Sequence, residues 1–425
     1  MNSFPKHFFI SCLAFACSQS FGASADSLYI SLSAAEERFL ANNAQLLAQK
    51  LSIEESKANA IQASLWSNPT LDIEQNIYNH ETQKYFPSGV NGENSFAVQQ
   101  LFDLAGKRSK RTGIEETNTR IAEFTYYDLL RSLKYELRTT FFDLYYLRQT
   151  LNVYDKEIQE LNTTVSLFQI QYERGNIPQK DIVRLKAFLL TLQNERRGLN
   201  SDLFDKANTL AIIIGDTTGN VIVPRVIDQQ RAHVPLSRFT ITELNELALS
   251  NRYDLKAKEE SADLEKLNVS LQKALGVPDV HLGVRYDRSG NYIPNYYAMT
   301  LEVDLPIFDR NQGAVQAAEA RVNEAKTLYE QFRRSVLLDV NKAYNTLAQN
   351  DSVFAAVDAK FLGDFDMLIG GIISNYERGN INVVEFIDFL ESYKNSIVQI
   401  NQLRSDRVKA IEALHRSVGK DILYE

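Results

Sequence analysis

The hexapeptide Tyr-Glu-Arg-Gly-Asn-Ile occurs twice, at residues 172–177 and again at 376–381. An internal repeat constrains a fold more than composition does, because each copy must build a similar unit. Further pairs fall in line with it. Asn42 matches Asn251 and Pro69 matches Pro278 at an offset of 209. Phe102-Asp103 matches Phe308-Asp309 at 206, while Gly175 matches Gly379 and Gly215 matches Gly419 at 204. The offset shrinks in small steps, as short deletions between two copies would make it. The chain therefore reads as repeat 1 at 26–215, a connector at 216–240 and repeat 2 at 241–425. A duplicated unit points to a symmetric object.

Residues 1–25 read as a secretory signal peptide. Lys6 and His7 give a positive start, 8–16 form a short apolar run, and Ala23-Ser24-Ala25 offers small residues for cleavage before Asp26. A lipoprotein is the competing reading, with Leu13-Ala14-Phe15-Ala16 leading to Cys17, although Phe15 is awkward so close to a lipidation site. Both cysteines, Cys12 and Cys17, lie in this segment, so a mature chain would have neither disulfides nor thiolate metal ligands. Loss of Lys6 takes the formal net charge from −8 to −9, which disfavours nucleic acid as a partner. With 44% hydrophobic and 24% charged residues the chain is globular rather than disordered. No later run reaches the roughly 18 apolar residues of a membrane helix. Export then leaves the periplasm, the exterior or an outer-membrane barrel.

Each half repeats helix, strand, loop, strand, very long helix, tight turn, long helix. The first helix is expected at roughly 34–66, rich in good helix formers and stopped by Ser67-Asn68-Pro69. Period-two alternation marks strands at about 70–78, 94–102, 279–287 and 296–305. Val280, Leu282, Val284 and Tyr286, for example, alternate with His281, Gly283, Arg285 and Asp287. Two readings stay open for these strands: hairpins lying on a protein core, or membrane strands of about 9–11 residues facing lipid. Four strands cannot close a membrane barrel. Two chains would give eight strands and a barrel filled by its own side chains; three would give twelve and leave a passage.

The long helices are the second constraint. Leu130, Leu137, Leu144, Leu151, Ile158, Val165 and Tyr172 recur every seven residues, beside Leu133, Leu147, Tyr154, Leu161 and Phe168. Such heptads predict helices wrapped left-handedly on neighbours. The stripe of the second half is weaker: Val340, Leu347, Phe354, Phe361 and Leu368, with Tyr344, Phe365 and Ile372, broken by Asp351 and Asp358. From Gly106 to Tyr172 there is no proline, which allows about 100 Å of helix. Glycine turns then send the chain back at hairpin tips near 173–178 and 377–382, with Pro178 suited to a helix start. Gly219, Pro224 and Pro235 make the connector read as irregular.

This plan resembles the outer-membrane factor family of TolC-like efflux ducts. The likeness rests on the duplicated helix–strand–strand–helix order, the Arg-Gly turns at both tips, and the motifs Gln99-Gln100-Leu101-Phe102-Asp103 and Leu305-Pro306-Ile307-Phe308-Asp309 after the second strands. The resemblance implies a mostly α fold with a small membrane β part. It implies a homotrimer that combines a 12-stranded β-barrel in the outer membrane of a Gram-negative bacterium with a 12-helix coiled-coil tunnel into the periplasm. It also implies a passive duct, partnered by a periplasmic adaptor (membrane fusion protein) and an inner-membrane RND-type pump. Leu104-Ala105-Gly106-Lys107-Arg108 with Arg111 looks most like the cobalt-zinc-cadmium efflux branch, although members there usually carry Gly where this chain has Ala105.

Glu385 and Asp388, three apart, share a helix face just past the second tip. In the family, acids at such positions ring the periplasmic aperture, where like charges repel and bind cations. The matching positions of the first half are Asp181 and Arg184, and Arg184 is a candidate latch to a neighbouring acid. An ordinary solvated helix face is the plain alternative. The tip residues Gly175, Asn176, Ile177, Gly379, Asn380 and Ile381 serve either turn chemistry alone or contact with the adaptor, and an exposed Ile at both tips favours contact. Lys107, Arg108, Lys110 and Arg111 read equally as a solvated helix start or as a contact to anionic outer-membrane lipid. His80, His233, His281 and His415 are scattered without chelating spacing, so no metal site and no cofactor is expected. No nucleophile motif, phosphate loop or dinucleotide fingerprint points to an enzyme. Metal, drug and type I protein export stay open as cargo classes, and an exported coiled-coil adaptor or structural protein is the rival outside the duct class.

Overall fold

The computed structural model describes residues 27–87, 92–226, 235–288, 293–356, 368, 370–376 and 378–424. The signal segment with Cys12 and Cys17, His233, and the Asp358, Phe361 and Phe365 part of the weaker stripe lie outside them.

The fold is mostly helical, with elements in the order β1 (Ser27–Ile30), α1 (Leu32–Asn42), α2 (Ala44–Ser64), β2 (Thr70–Gln75), β3 (Tyr78–Asn79), β4 (Lys84–Tyr85), β5 (Asn94–Phe102), α3 (Lys107–Glu173) and α4 (Gln179–Ile214). They are followed by β6 (Val221–Pro224), α5 (Ile241–Asn251), α6 (Tyr253–Leu275), β7 (Val280–Asp287), β8 (Tyr296–Val303), α7 (Gln312–Ala356) and α8 (Val383–Val418).

The helix expected at 34–66 is two helices. Asn43 breaks it, because its side chain accepts from Leu46 N (3.0 Å), capping α2, and donates to Ile213 O (2.9 Å) from α4. A short amide that finds such partners competes with the helix. In the second half the break falls at Arg252, between α5 and α6. The matched Asn and Gly residues meet in space. Gly215, at φ +67°, lies so close to Asn42 that a Cβ there would be 2.7 Å from its Cβ and carbonyl oxygen. Gly419, at φ +81°, abuts the backbone of Asn251 and Arg252.

β2, β5, β7 and β8 form one antiparallel sheet in that order, so strands from the two halves pair at its centre. Register aligns Leu71, Val98, Val284 and Met299 on one face, and Asp72, Ala97, Arg285 and Ala298 on the other. The apolar face is bare: Met299 is 78% and Leu301 66% exposed. The strand expected at 70–78 stops at Gln75, because Tyr78 and Asn79 turn into a separate ladder with Tyr85 and Lys84. The connector is not wholly irregular either. β6 pairs in parallel with β1 and buries Ile222 and Val223.

α3 has 67 residues, about 100 Å of helix. Its heptad residues Leu137, Leu144, Leu151, Tyr154 and Leu161 are buried. Among the described residues the core forms three groups: α1–α4 with β6, α5 with α7 and α8, and a lower group of α3, α4 and α8 near the turns. Among the described residues no helix is long and apolar enough to cross a membrane.

Candidate aperture site at the helix turns

The two turns are built alike. Gly175 (φ +79°) and Gly379 (φ +73°) reverse the chain in the left-handed region. The next residue then ties back to the helix: Asn176 N donates to Gln171 O (2.9 Å) and Asn380 N to Asn375 O (2.9 Å). Their side-chain amides reach the same two residues, at 2.8 Å and 3.1 Å. Ile177 and Ile381 are half-buried, not exposed as expected, and Ile381 packs onto the lower core.

Asp181 and Glu385 each take the third position of their helix, where a carboxylate faces the positive end of the dipole. Glu385 completes a capping box: Asn382 N donates to its Oε2 (3.2 Å), and its own N donates to Asn382 Oδ1 (3.0 Å). Glu385 thus has a structural task the sequence reading did not assign. A cleft of about 1000 Å³ between the turns is lined by Asn176, Ile177, Asp181, Arg184, Gly379, Ile381 and Glu385. Gly175, Asn380 and Asp388 do not line it; Asp388 is exposed one turn further along α8. Arg184 is exposed and makes no ion pair among the described residues.

The residue that sequence reasoning missed is Tyr376. Its ring is sandwiched between Phe168 (4.6 Å) and Phe386 (4.2 Å), each tilted by 9°. It is 4% exposed, and among the described residues its hydroxyl has no hydrogen-bond partner. Burial, reinforced by the Asp181 charge, pushes this phenol up from its ordinary value. Tyr376 opens the second copy of the repeated hexapeptide, and that was the only signal for it.

At Lys107 the basic run is not a solvated helix start. Lys107 is buried, with Nζ 2.7 Å from Asp279 Oδ2 and 2.7 Å from Val277 O. Arg111 pairs with Asp103, Lys110 donates to Ala105 O (2.8 Å), and Arg108 stacks 3.8 Å over the Trp66 ring. Lys107 and Arg111 thus tie the start of α3 to the acids beside the strand ends, while Arg108, Lys110 and Arg111 stay partly exposed.

One histidine does join a cluster. Donor atoms of Glu412, His415 and Asp421 lie within 4.8 Å of one another. The donor set does not suit a metal. His415 Nε2 accepts from Leu423 N (3.1 Å), which puts the proton on Nδ1, facing Glu412 at 3.6 Å and Asp421 at 3.8 Å. Arg138 already supplies the cation, at 3.0 Å from Glu412, 3.1 Å from Asp421 and 2.7 Å from Glu36.

The sequence profile of the family described as Outer membrane efflux protein matches residues 36–216 and 244–420. Cobalt-zinc-cadmium resistance protein CzcC of Cupriavidus metallidurans is 19% identical over 320 residues, 75% of each chain. Nickel-cobalt-cadmium resistance protein NccC of Alcaligenes xylosoxydans xylosoxydans is 21% identical over 323 residues, 74% of this chain and 70% of the relative. Among solved structures, CusC superposes with a TM-score of 0.73 at 15% identity, covering 92% of both chains. The Campylobacter jejuni CmeC outer membrane channel gives 0.74 at 14%, covering 92% of this chain and 86% of that one.

Proposed function

Because the chain belongs to the outer membrane efflux protein family, we propose that three copies form a passive export duct. It receives cargo from an inner-membrane RND-type pump through a periplasmic adaptor and releases it outside the outer membrane. The carrying observation is the four-stranded sheet: one face apolar and bare, both edges open, attached to 100 Å of helix in the same chain. Three such sheets make twelve strands, enough for a water-filled barrel with Asp72, Glu74, Arg285, Asp287 and Glu302 lining it. α3, α4, α7 and α8 from each copy supply the tunnel wall.

On this reading the two halves are copies of one unit, and their turns form the lower rim. Glu385 and Asp388 ring the opening, where their like charges repel one another and attract cations, joined by Asp181 and Arg184 of the first half. Gly175, Asn176, Ile177, Gly379, Asn380 and Ile381 meet the adaptor. Heavy-metal cations are the favoured cargo, supported by the metal-resistance names of the relatives. Drug efflux or type I protein secretion is the second reading, since the fold neighbours share less than 25% identity.

The test has two parts. Purified protein in planar bilayers should give discrete cation-preferring channels whose conductance rises in the Glu385→Ala/Asp388→Ala variant. Deletion of the gene should raise sensitivity to cobalt, zinc or cadmium. Absence of channels would refute the duct; sensitivity to dyes alone would refute the metal cargo.

A further inference from the structure

About 27 Å above the first turn, counted as eighteen residues of helix, α3 buries a carboxylate. Glu157 is 4% exposed, and among the described residues neither of its oxygens has a hydrogen-bond partner. A charged carboxylate in that position is costly unless it is paired or protonated. Three ionisable groups face it: Tyr154 on its own helix, Glu195 on α4 and Lys394 on α8. Lys394, itself 3% exposed, is the one cation among them, and it is already committed. Its Nζ donates to Glu195 Oε2 at 2.7 Å, and Tyr154 Oη donates to the same oxygen at 3.0 Å. Two carboxylates thus compete for one ammonium, and Glu195 holds it. Burial is the main reason that the Glu157 carboxyl rises to about 8, with the Glu195 charge adding to it and Lys394 opposing.

We propose that Glu157 is a proton-binding site that controls the α3–α4–α8 joint: protonated, it lets the three helices pack, and deprotonated, its buried charge and its repulsion from Glu195 loosen the joint. The sign follows from linkage. The packed state binds a proton that the separated state releases above the ordinary carboxylate range. Packing is therefore strongest at low pH and weakens as pH rises through about 8. α8 is unbroken from Val383 to Val418, so a displacement at Lys394 travels to Asp388 and Glu385, on the order of 9–14 Å away along the axis. That last consequence rests on the aperture reading above; the joint itself does not.

Hydrogen exchange of the whole protein in detergent tests the joint without any channel measurement. Between about pH 6.5 and pH 9, protection of α8 amides near Lys394, corrected for intrinsic exchange, should fall about tenfold or more, since one unit of differential protonation is a factor of ten. Glu157→Gln, which keeps the shape of the neutral acid, should remove this pH dependence. The infrared stretch of a neutral carboxyl should also disappear in the wild type over the same range, a readout that stands even if the variant folds poorly. Equal pH dependence in the two proteins, or no neutral carboxyl near pH 7, overturns the proposal. If the joint responds but bilayer conductance does not, the aperture reading fails and the proton site stands.

Discussion

Replacing Arg138 by Leu should be among the most damaging single changes in the chain. The guanidinium is 3% exposed and holds carboxylates from three places: Glu36 on α1, Glu412 on α8, and Asp421 beyond the end of α8. The three would not suffer equally. Glu36 and Asp421 are 22% and 37% exposed, and Asp421 keeps Lys134 at 3.0 Å. Glu412 is 3% exposed and would keep only the Tyr424 hydroxyl at 2.7 Å and the His415 edge. Breaking a buried pair from one side costs about 3–5 kcal/mol, most of it the stranded charge. With one fully buried carboxylate stranded, the lower end is expected, about 3 kcal/mol. The double variant Arg138→Leu/Glu412→Gln removes that charge and keeps an acceptor for Tyr424, so it should recover about 2 kcal/mol. Denaturant unfolding in detergent, followed by far-ultraviolet circular dichroism, measures both. A single-variant loss below about 1 kcal/mol, or a double variant no better than the single, would refute the assignment of Arg138 as the neutralising centre.

Three other outcomes follow from local geometry. Ala105→Gly should stabilise the protein by about 1 kcal/mol, seen as a raised thermal midpoint, because Ala105 sits at φ +55°, where a Cβ is disfavoured. Gly215→Ala should cost more than about 2 kcal/mol and Gly175→Ala only about 1 kcal/mol, since both have positive φ but only Gly215 abuts Asn42; equal losses would show that the Asn42 contact yields freely. Asp421 is held down to about 2 by Arg138 and Lys134. Its stabilising contribution is therefore present above about pH 4 and lost as pH falls towards 2, worth roughly 1 kcal/mol after allowing for its exposure, and Asp421→Asn should flatten that part of the acid-unfolding profile.

What was legible in the sequence was what repeats locally. The α3 heptads give a buried stripe because one unbroken helix presents every seventh residue to the same neighbour. The glycine turns were visible because only glycine takes their backbone easily. The misses share a different cause. The break at Asn43 depends on Ile213, 170 residues away, and Lys107 finds Val277 at the same separation. Charge alone therefore made a buried clamp look like a solvated helix start. Glu157 and Tyr376 sit among heptad positions that read as ordinary, and become unusual only when α4 and α8 close over them. Glu385 was picked for its charge, yet its capping role was also available, since Asn382 precedes it by three residues.

The sheet carries a consequence for biogenesis. Among the described residues β2 and β8 end it with unpaired backbone groups, and hydrocarbon would offer nothing to satisfy them. On the proposed barrel shared by three copies, a solitary chain would be barred from the bilayer, and insertion would wait until sister copies close the edges. Synthesis of a strand-defective copy beside the intact one should then poison mixed assemblies, and the cell would lose channels well out of proportion to the share of faulty chains.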